Sequence, residues 1–229
     1  MPTLTTVLQT LTNSHAFLGS YYMGEQYLKW SISFPMDTVV DSAAPDHPCT
    51  MLAIGKVSST LSNLGILGDY PTSSSVLAKA ALRLVLVSPD HPLLSTYWNR
   101  TLNVLMELES DMLVFPLDPD PHLPLVPGFM TFESPIFVNT NTESNEFGVP
   151  DTQSPSQEAD CPPEVLKHHM TWAECDIRGP DEEQIPRQRV EDMLAGKTVA
   201  VEFKLGHFKA HSREIFVPLM EKITIVDVA

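Results

Sequence analysis

Four stretches of the chain bring together residue types capable of chemistry. The first is CPPEVLKHHMTWAEC, 161–175, in which Cys161 and Cys175 bracket His168 and His169. Thiolates and imidazoles bind zinc when four of them converge within about 2.3 Å of one point. On a helix beginning at Pro163 the two histidines diverge by about 100°, and His168 and Cys175 lie about 10 Å apart along the axis. The stretch has neither a C-x-x-C nor an H-x-x-x-H pair, and the remaining cysteine, Cys49, is distant in sequence. It reads as a structural helix with one histidine buried and one exposed, and no metal is expected there.

The second is DPDPH, with Asp118, Asp120 and His122. In an extended, proline-stiffened segment alternate side chains point the same way, so these three can converge on a hard cation. That arrangement would suit a small hydrolase or metal-dependent enzyme; the plainer reading is an acidic, Pro-rich loop. The third is the pair His207 and His211, spaced as zinc ligands are on a helix. Gly206 and the alternating residues before it put the pair on a turn and strand, about 13 Å apart, which points to a solvated or cross-strand role. The fourth, GSYYMGEQ from Gly19, has the two glycines of a phosphate loop but carries Glu25 and Gln26 where Lys and Ser/Thr belong. An acid there repels phosphate. No G-x-G-x-x-G or G-x-S-x-G motif occurs. No catalytic or cofactor-binding residue is assigned, and neither cofactor nor metal is expected.

Charge narrows the classes further. The net charge is −15, from 14 basic and 29 acidic residues. From Arg100 to Lys167 no Lys or Arg intervenes, while eleven acids precede residue 161 in that interval. Binding to phosphate depends on Lys and Arg releasing counterions, and the aromatic residues sit beside acids rather than bases. The expected partners are therefore other protein subunits, in a homo- or hetero-oligomer, with no nucleic acid and no membrane. The first basic residue is Lys29, too late for a secretory n-region. The most apolar run, VLAKAALRLVLV, is interrupted by Lys79 and Arg83 and is too short to span a bilayer. Three cysteines fit reduced thiols, so the expected location is cytoplasmic or within a virion, not secreted.

The elements that must position these residues read as helices first and strands later. Leu4, Leu8, Leu11, His15, Leu18 and Tyr22 give 3–33 a helical period, weakened by Gly19 and Gly24. Asp46-His47-Pro48 resembles an N-cap followed by a first-turn proline, predicting a helix to about residue 64. Ser73 or Ser74 caps a second, with Leu77, Ala80, Ala81, Leu84, Val85 and Ser88 on one stripe. Asp90-His91-Pro92 opens a third, with Leu94, Tyr97, Thr101, Leu105, Leu108 and Met112 on one face. Prolines then exclude helix until MTFESPIFV, which can supply an edge strand. Residues 139–162 have a linker's composition. Short helices follow over 163–174 and from Pro186 or Arg187 to Gly196, then an alternating strand, TVAVEFKL, and one or two antiparallel strands from IFV and KITIVDV.

The expectation is an α+β protein: a mainly α-helical domain over 1–138 with a Pro-rich acidic extension, a polar linker over 139–162, and a small αβ module over 163–229. The functional expectation is a non-enzymatic structural or interaction subunit of a larger assembly, a virus particle among them. The second reading is the hydrolase or metal-dependent enzyme built on Asp118, Asp120 and His122.

Overall fold

Within the run ALRLVLV, Leu82, Leu84 and Leu86 are buried and Arg83 is exposed, the period-two pattern of a strand rather than a helix. The structure, a computed structural model, describes residues 9, 14, 16–20, 27–33, 36–65, 68, 81–112, 125–126, 128–135, 137–139, 170–172, 176–210 and 213–226. Its strands are β1 (Leu28–Ser31), β2 (Asp37–Asp41), β3 (Ala44–Pro48), β4 (Met51–Val57), β5 (Ala81–Val87), β6 (Leu125–Val126), β7 (Phe129–Pro135), β8 (Phe137–Asn139), β9 (Met170–Trp172), β10 (Asp176–Arg178), β11 (Thr198–Ala210) and β12 (Arg213–Ile225). Helix α1 (Pro92–Met112) lies between β5 and β6, and α2 (Val190–Leu194), entered through a 3-10 turn at Arg187–Arg189, lies between β10 and β11.

Five of these strands close on themselves. Around the wall the order is β11, β4, β5, β7, β12 and back to β11. Each neighbouring pair is antiparallel except β7 and β12, which run parallel and meet at Glu133 and Leu219. This is the arrangement of an OB-type Greek-key barrel. β4 and β5 pair only at Lys56–Val87 and Val57–Leu86. The open edge of β4 is satisfied by 16–18: Leu18 N–H donates to the Leu52 carbonyl at 3.0 Å and Leu52 N–H to Ala16 at 2.7 Å. The open edge of β5 takes Ser58 and Asn63, whose N–H groups donate to Val85 and Arg83, each at 2.8 Å.

The barrel interior holds Met51, Ala53, Leu82, Leu84, Leu86, Met130, Phe132, Val199, Val201, Phe203, Leu205 and Ile223. Phe132 and Phe203 meet edge to face, with centroids 5.1 Å apart, a geometry worth about 0.5–1.5 kcal/mol beyond area burial. Helix α1 contributes Trp98, Leu105 and Leu108 to the same core. Gly55 makes room for Trp98: a Cβ there would lie 2.8 Å from Trp98 Cζ3 and 2.9 Å from Leu86 Cβ. β1, β2 and β3 form a wing beside the barrel, β2 pairing with β11 through Thr38–Gly206 and Asp37–His207.

The expected helical N-terminal part is corrected by this arrangement: the described chain is mostly β. Where a helix was expected over 46–64, the chain forms the end of β3 and then β4. β4 is buried on both faces, with Met51, Ala53 and Val57 toward the barrel and Ile54 toward Phe17 and Leu94. Two-faced burial removes the polar alternation that marks a strand, leaving an apolar run that suits a helix equally well. The stripe through Ala81, Leu84 and Val85 misled for the same reason, since Leu84 and Val85 are both buried although they face opposite ways. Strand β1 replaces helix at 28–31 and β9 replaces it at 170–172. MTFESP is a wall strand, β7, paired with β5 along its length, rather than an edge. Helix α1, α2 and the TVAVEFKL strand lie where the sequence put them. The barrel takes β4, β5 and β7 from before residue 139 and β11 and β12 from after residue 162.

Candidate functional site

The outer wall of the barrel carries a row of four side chains set by strand register. Arg83 on β5 is opposite Glu133 on β7, Glu133 is opposite Leu219 on β12, and Leu219 is opposite Lys204 on β11. Each alternates with core residues, so all four point away from the barrel. At ~4.8 Å per strand the row spans about 14 Å. Leu219 is among the few large apolar residues left exposed, at 38%. Each cation is held by a carboxylate: Arg83 Nε lies 3.9 Å from Glu133 Oε1, and Lys204 Nζ pairs with Glu221, whose other oxygen accepts from the Thr50 hydroxyl at 2.9 Å. Glu221 occupies an irregularity in the β11–β12 ladder, where Glu202 faces Lys222 and Phe203 faces Met220. Surface pairs of this kind contribute about 0–1 kcal/mol, so a competing anion can exchange for the carboxylate.

Four residues toward the tip of the β11–β12 hairpin, about 13 Å along the strands, the outward positions turn apolar. Val87 and Phe129 are cross-strand partners on β5 and β7, and Phe208 and Ile215 are partners on β11 and β12. All four are half-buried. Between these pairs β7 and β12 part company, and β6 occupies the β7 edge at Met130 and Phe129. A small apolar cavity lies at the parting, lined by Leu105 and Glu109 of α1, Met130 and Thr131 of β7, Phe203 and Leu205 of β11, and Pro218 of β12.

Glu109 is the one titratable group in that lining. It is 7% exposed, its Oε1 has no hydrogen-bond partner among the described residues, and burial pushes its carboxyl up to about 7. The preceding carbonyl, Leu108 O, accepts the Trp30 indole N–H at 2.7 Å and so ties α1 to β1. Trp30 in turn packs on His207 and Phe216, with centroids 5.7 and 5.9 Å away. His207 Nδ1 lies 3.0 Å from Asp37 Oδ2, and Asp37 Oδ1 accepts the Ser33 N–H at 2.9 Å. Gly206, next to His207, lets Met36 cross the strand: a Cβ there would collide with the Met36 sulfur.

Of the residues singled out in the sequence, His207 lies in β11, where it is buried against Asp37. The strand runs on past Gly206, where a turn was expected, because β12 pairs with it through Ala210–Arg213. Gly19 is buried; a Cβ there would lie 2.8 Å from Tyr97 Cβ. Cys49 is a free thiol at the end of the wing, raised above its ordinary value by burial and then by Asp41. Asp118, Asp120, His122, Cys161, His168, His169, Cys175, His211, Glu25 and Gln26 lie outside the described residues. Among the described residues, no three His, Cys, Asp or Glu side chains gather as a metal site requires, and no helix is long and apolar enough to cross a membrane. The wall itself escaped the sequence reading. Its four strands come from three distant parts of the chain, and only pairing brings Arg83, Glu133, Leu219 and Lys204 into line.

The five-stranded barrel is OB-fold-like. No family model and no curated protein matches the chain. Among solved structures it is similar to gp2.5, a single-stranded DNA-binding protein encoded by bacteriophage T7. That match has a TM-score of 0.43 and 11% identity, over 79% of this chain and 92% of that one. It is also similar to the single-stranded DNA-binding protein from bacteriophage Enc34 in complex with ssDNA. Here the TM-score is 0.41 and the identity 9%, over 89% of this chain and 97% of that one. At these values the likeness is one of strand arrangement and assigns no residue.

Two expectations are corrected by these findings. The solved structures are single-stranded DNA-binding proteins rather than virion components, so the structural or interaction subunit of a larger assembly does not stand. The exclusion of nucleic acid fails with it. Total charge was the wrong quantity for that exclusion. The screening length at physiological salt is about 8 Å, so only charges close to a phosphate act on it. Residues 196–222, which include β11 and most of β12, carry five bases (Lys197, Lys204, Lys209, Arg213, Lys222) against three acids (Glu202, Glu214, Glu221).

Proposed function

We propose that this protein binds single-stranded nucleic acid across the outer wall formed by β5, β7, β12 and β11. The observation that carries the reading is the pairing of two surfaces on one wall of an OB-type barrel. One is a row with a cation at each end, Arg83 and Lys204; the other is the apolar set Val87, Phe129, Phe208 and Ile215, about 13 Å away along the strands. Single strands need both kinds of surface. Phosphates exchange counterions for Lys and Arg, and unstacked bases find a π-face, worth about 1–3 kcal/mol per base. A duplex hides its base faces and gains only the first.

Fluorescence anisotropy with a labelled 25-nucleotide oligo-dT and a duplex of equal length tests this. With two cations engaged and a slope of roughly −0.7 per phosphate contact, affinity for the single strand should fall about sevenfold between 50 and 200 mM salt. Phe129→Ala with Phe208→Ala should weaken the single strand at least about tenfold, the loss expected from one stacked base. Arg83→Glu with Lys204→Glu should remove binding and its salt dependence. No binding at 50 mM salt, or equal affinity for the duplex, overturns the assignment.

A further inference from the structure

We infer that Glu109 is a proton-operated control on this wall, which holds single strands while its carboxyl is neutral and releases them when it ionises. The inference rests on the proposed interface and adds its regulation. Glu109 lies in the cavity where β7 and β12 part; of its lining, Met130, Phe203, Leu205 and Pro218 alternate with outward residues, whereas Thr131 shares the strand parity of Glu133. Phe203 and Leu205 flank Lys204, and Pro218 adjoins Leu219. What faces Glu109 is uncharged on every element: Leu105 on α1, Met130 and Thr131 on β7, Phe203 and Leu205 on β11, and Pro218 on β12. Of the charged and titratable groups on those strands, Glu133, Lys204 and Glu221 lie on the outer face with Glu202 and Lys222, which pair with each other, Lys209 is exposed, and His207 is held by Asp37. Glu107, Ser110 and Asp111 of α1 are exposed. Among the described residues, no cation lines this box.

An ionised Glu109 has two consequences, and both oppose binding. Its charge would sit one strand layer beneath a bound phosphate, through an interior that screens poorly. Relief of that charge requires water in the cavity or withdrawal of the end of α1, which strains the Leu108 O to Trp30 Nε1 contact and loosens β1 and the His207–Phe216 pair of the hairpin packed on it. The neutral carboxyl has neither cost, and burial sets its ionisation near pH 7.

The test is the affinity for labelled oligo-dT at fixed 50 mM salt between pH 5.5 and 8.5, for the wild type, Glu109→Gln and Glu109→Met. The wild type should lose about fivefold or more in affinity across pH 6–8, the low end of a usual coupling. Both variants should stay at the acid-side affinity throughout. Tryptophan emission of the free protein should shift over the same interval in the wild type, persist in His207→Gln, and vanish in Glu109→Gln. His207 also touches Trp30, so a shift that vanishes in His207→Gln but not in Glu109→Gln overturns the assignment to Glu109. Binding with the same pH profile in all three proteins also overturns the control and leaves the interface standing. Absence of binding at every pH overturns the interface itself.

Discussion

Asp-His-Pro occurs twice in this chain, and the two copies have opposite fates. Asp46-His47-Pro48 ends β3, an edge strand exposed along its whole length, and hands the chain to β4. Asp90-His91-Pro92 hands it to α1, where Ser95 N–H donates to the His91 carbonyl at 2.9 Å and Asp90 reaches Lys56 at 2.6 Å. The tripeptide permits a helix start in both places, because proline lacks only an N–H that the first turn leaves unused. What differs is the chain that follows. After Pro92 the residues Leu94, Trp98, Thr101, Leu105 and Leu108 repeat at three and four, and each is buried. After Pro48, Cys49 and Thr50 comes Met-Leu-Ala-Ile-Gly-Lys-Val, buried on two faces and hydrogen-bonded to β11 from Thr198–Lys56 to Phe203–Met51. A cap motif is therefore permissive, and burial with a distant partner decides.

The largest effect is expected where β4 loses its partner. Val201 pairs with Ala53 on one side and Ile223 on the other, so Val201→Pro removes an N–H from the centre of the wall. The expected outcome is an unfolded chain, seen as loss of the β signature in circular dichroism; a folded variant would mean that β4 does not depend on β11.

The two regions meet where Trp98 covers Gly55. Trp98→Ala should cost about 3–5 kcal/mol in urea unfolding. Gly55→Ala, which forces a methyl against Trp98 and Leu86, should cost about 1–3 kcal/mol. The double variant should cost less than the sum of the two, because removing the indole vacates the space that the new methyl needs. Strict additivity would separate the strand after the first copy from the helix after the second.

Further along α1, Glu109 ionises at a higher pH in the folded chain than at its ordinary 4.5. Between those values the folded state holds a proton that the unfolded state has released, so stability falls as pH rises from about 4.5 to about 7 and levels off above. Glu109→Gln should leave stability at pH 4 unchanged and raise it at pH 8 by about 3 kcal/mol. An equal effect at both values would remove the proton from the explanation.

The smallest effect belongs to the tripeptides themselves. Asp90→Ala should cost under about 1 kcal/mol, the range of a surface pair, and Asp46→Ala should cost nothing measurable in thermal unfolding. A larger loss at Asp46 would show that the first copy does structural work which its exposure conceals.

Elements whose burial is one-sided are legible in the residue pattern alone. Helix α1 has one buried stripe and a polar remainder. β11 alternates Val199, Val201, Phe203 and Leu205 inward with Thr198, Glu202 and Lys204 outward, and both patterns are local and unambiguous. Strand β4 and the Leu84–Leu86 centre of β5 are buried on both faces, so there the local pattern no longer separates strand from helix. Only pairing with β11, β7 and the 16–18 and 58–63 segments makes them strands. The same holds for the candidate site. No window contains Arg83, Glu133, Leu219 and Lys204 together, and Asp37 meets His207 across 170 positions. Glu109 reads as one more acid among eleven in a stretch without Lys or Arg. Its character comes from the apolar walls that four separate elements build around it, because desolvation is a property of the assembled interior and not of neighbours in the chain.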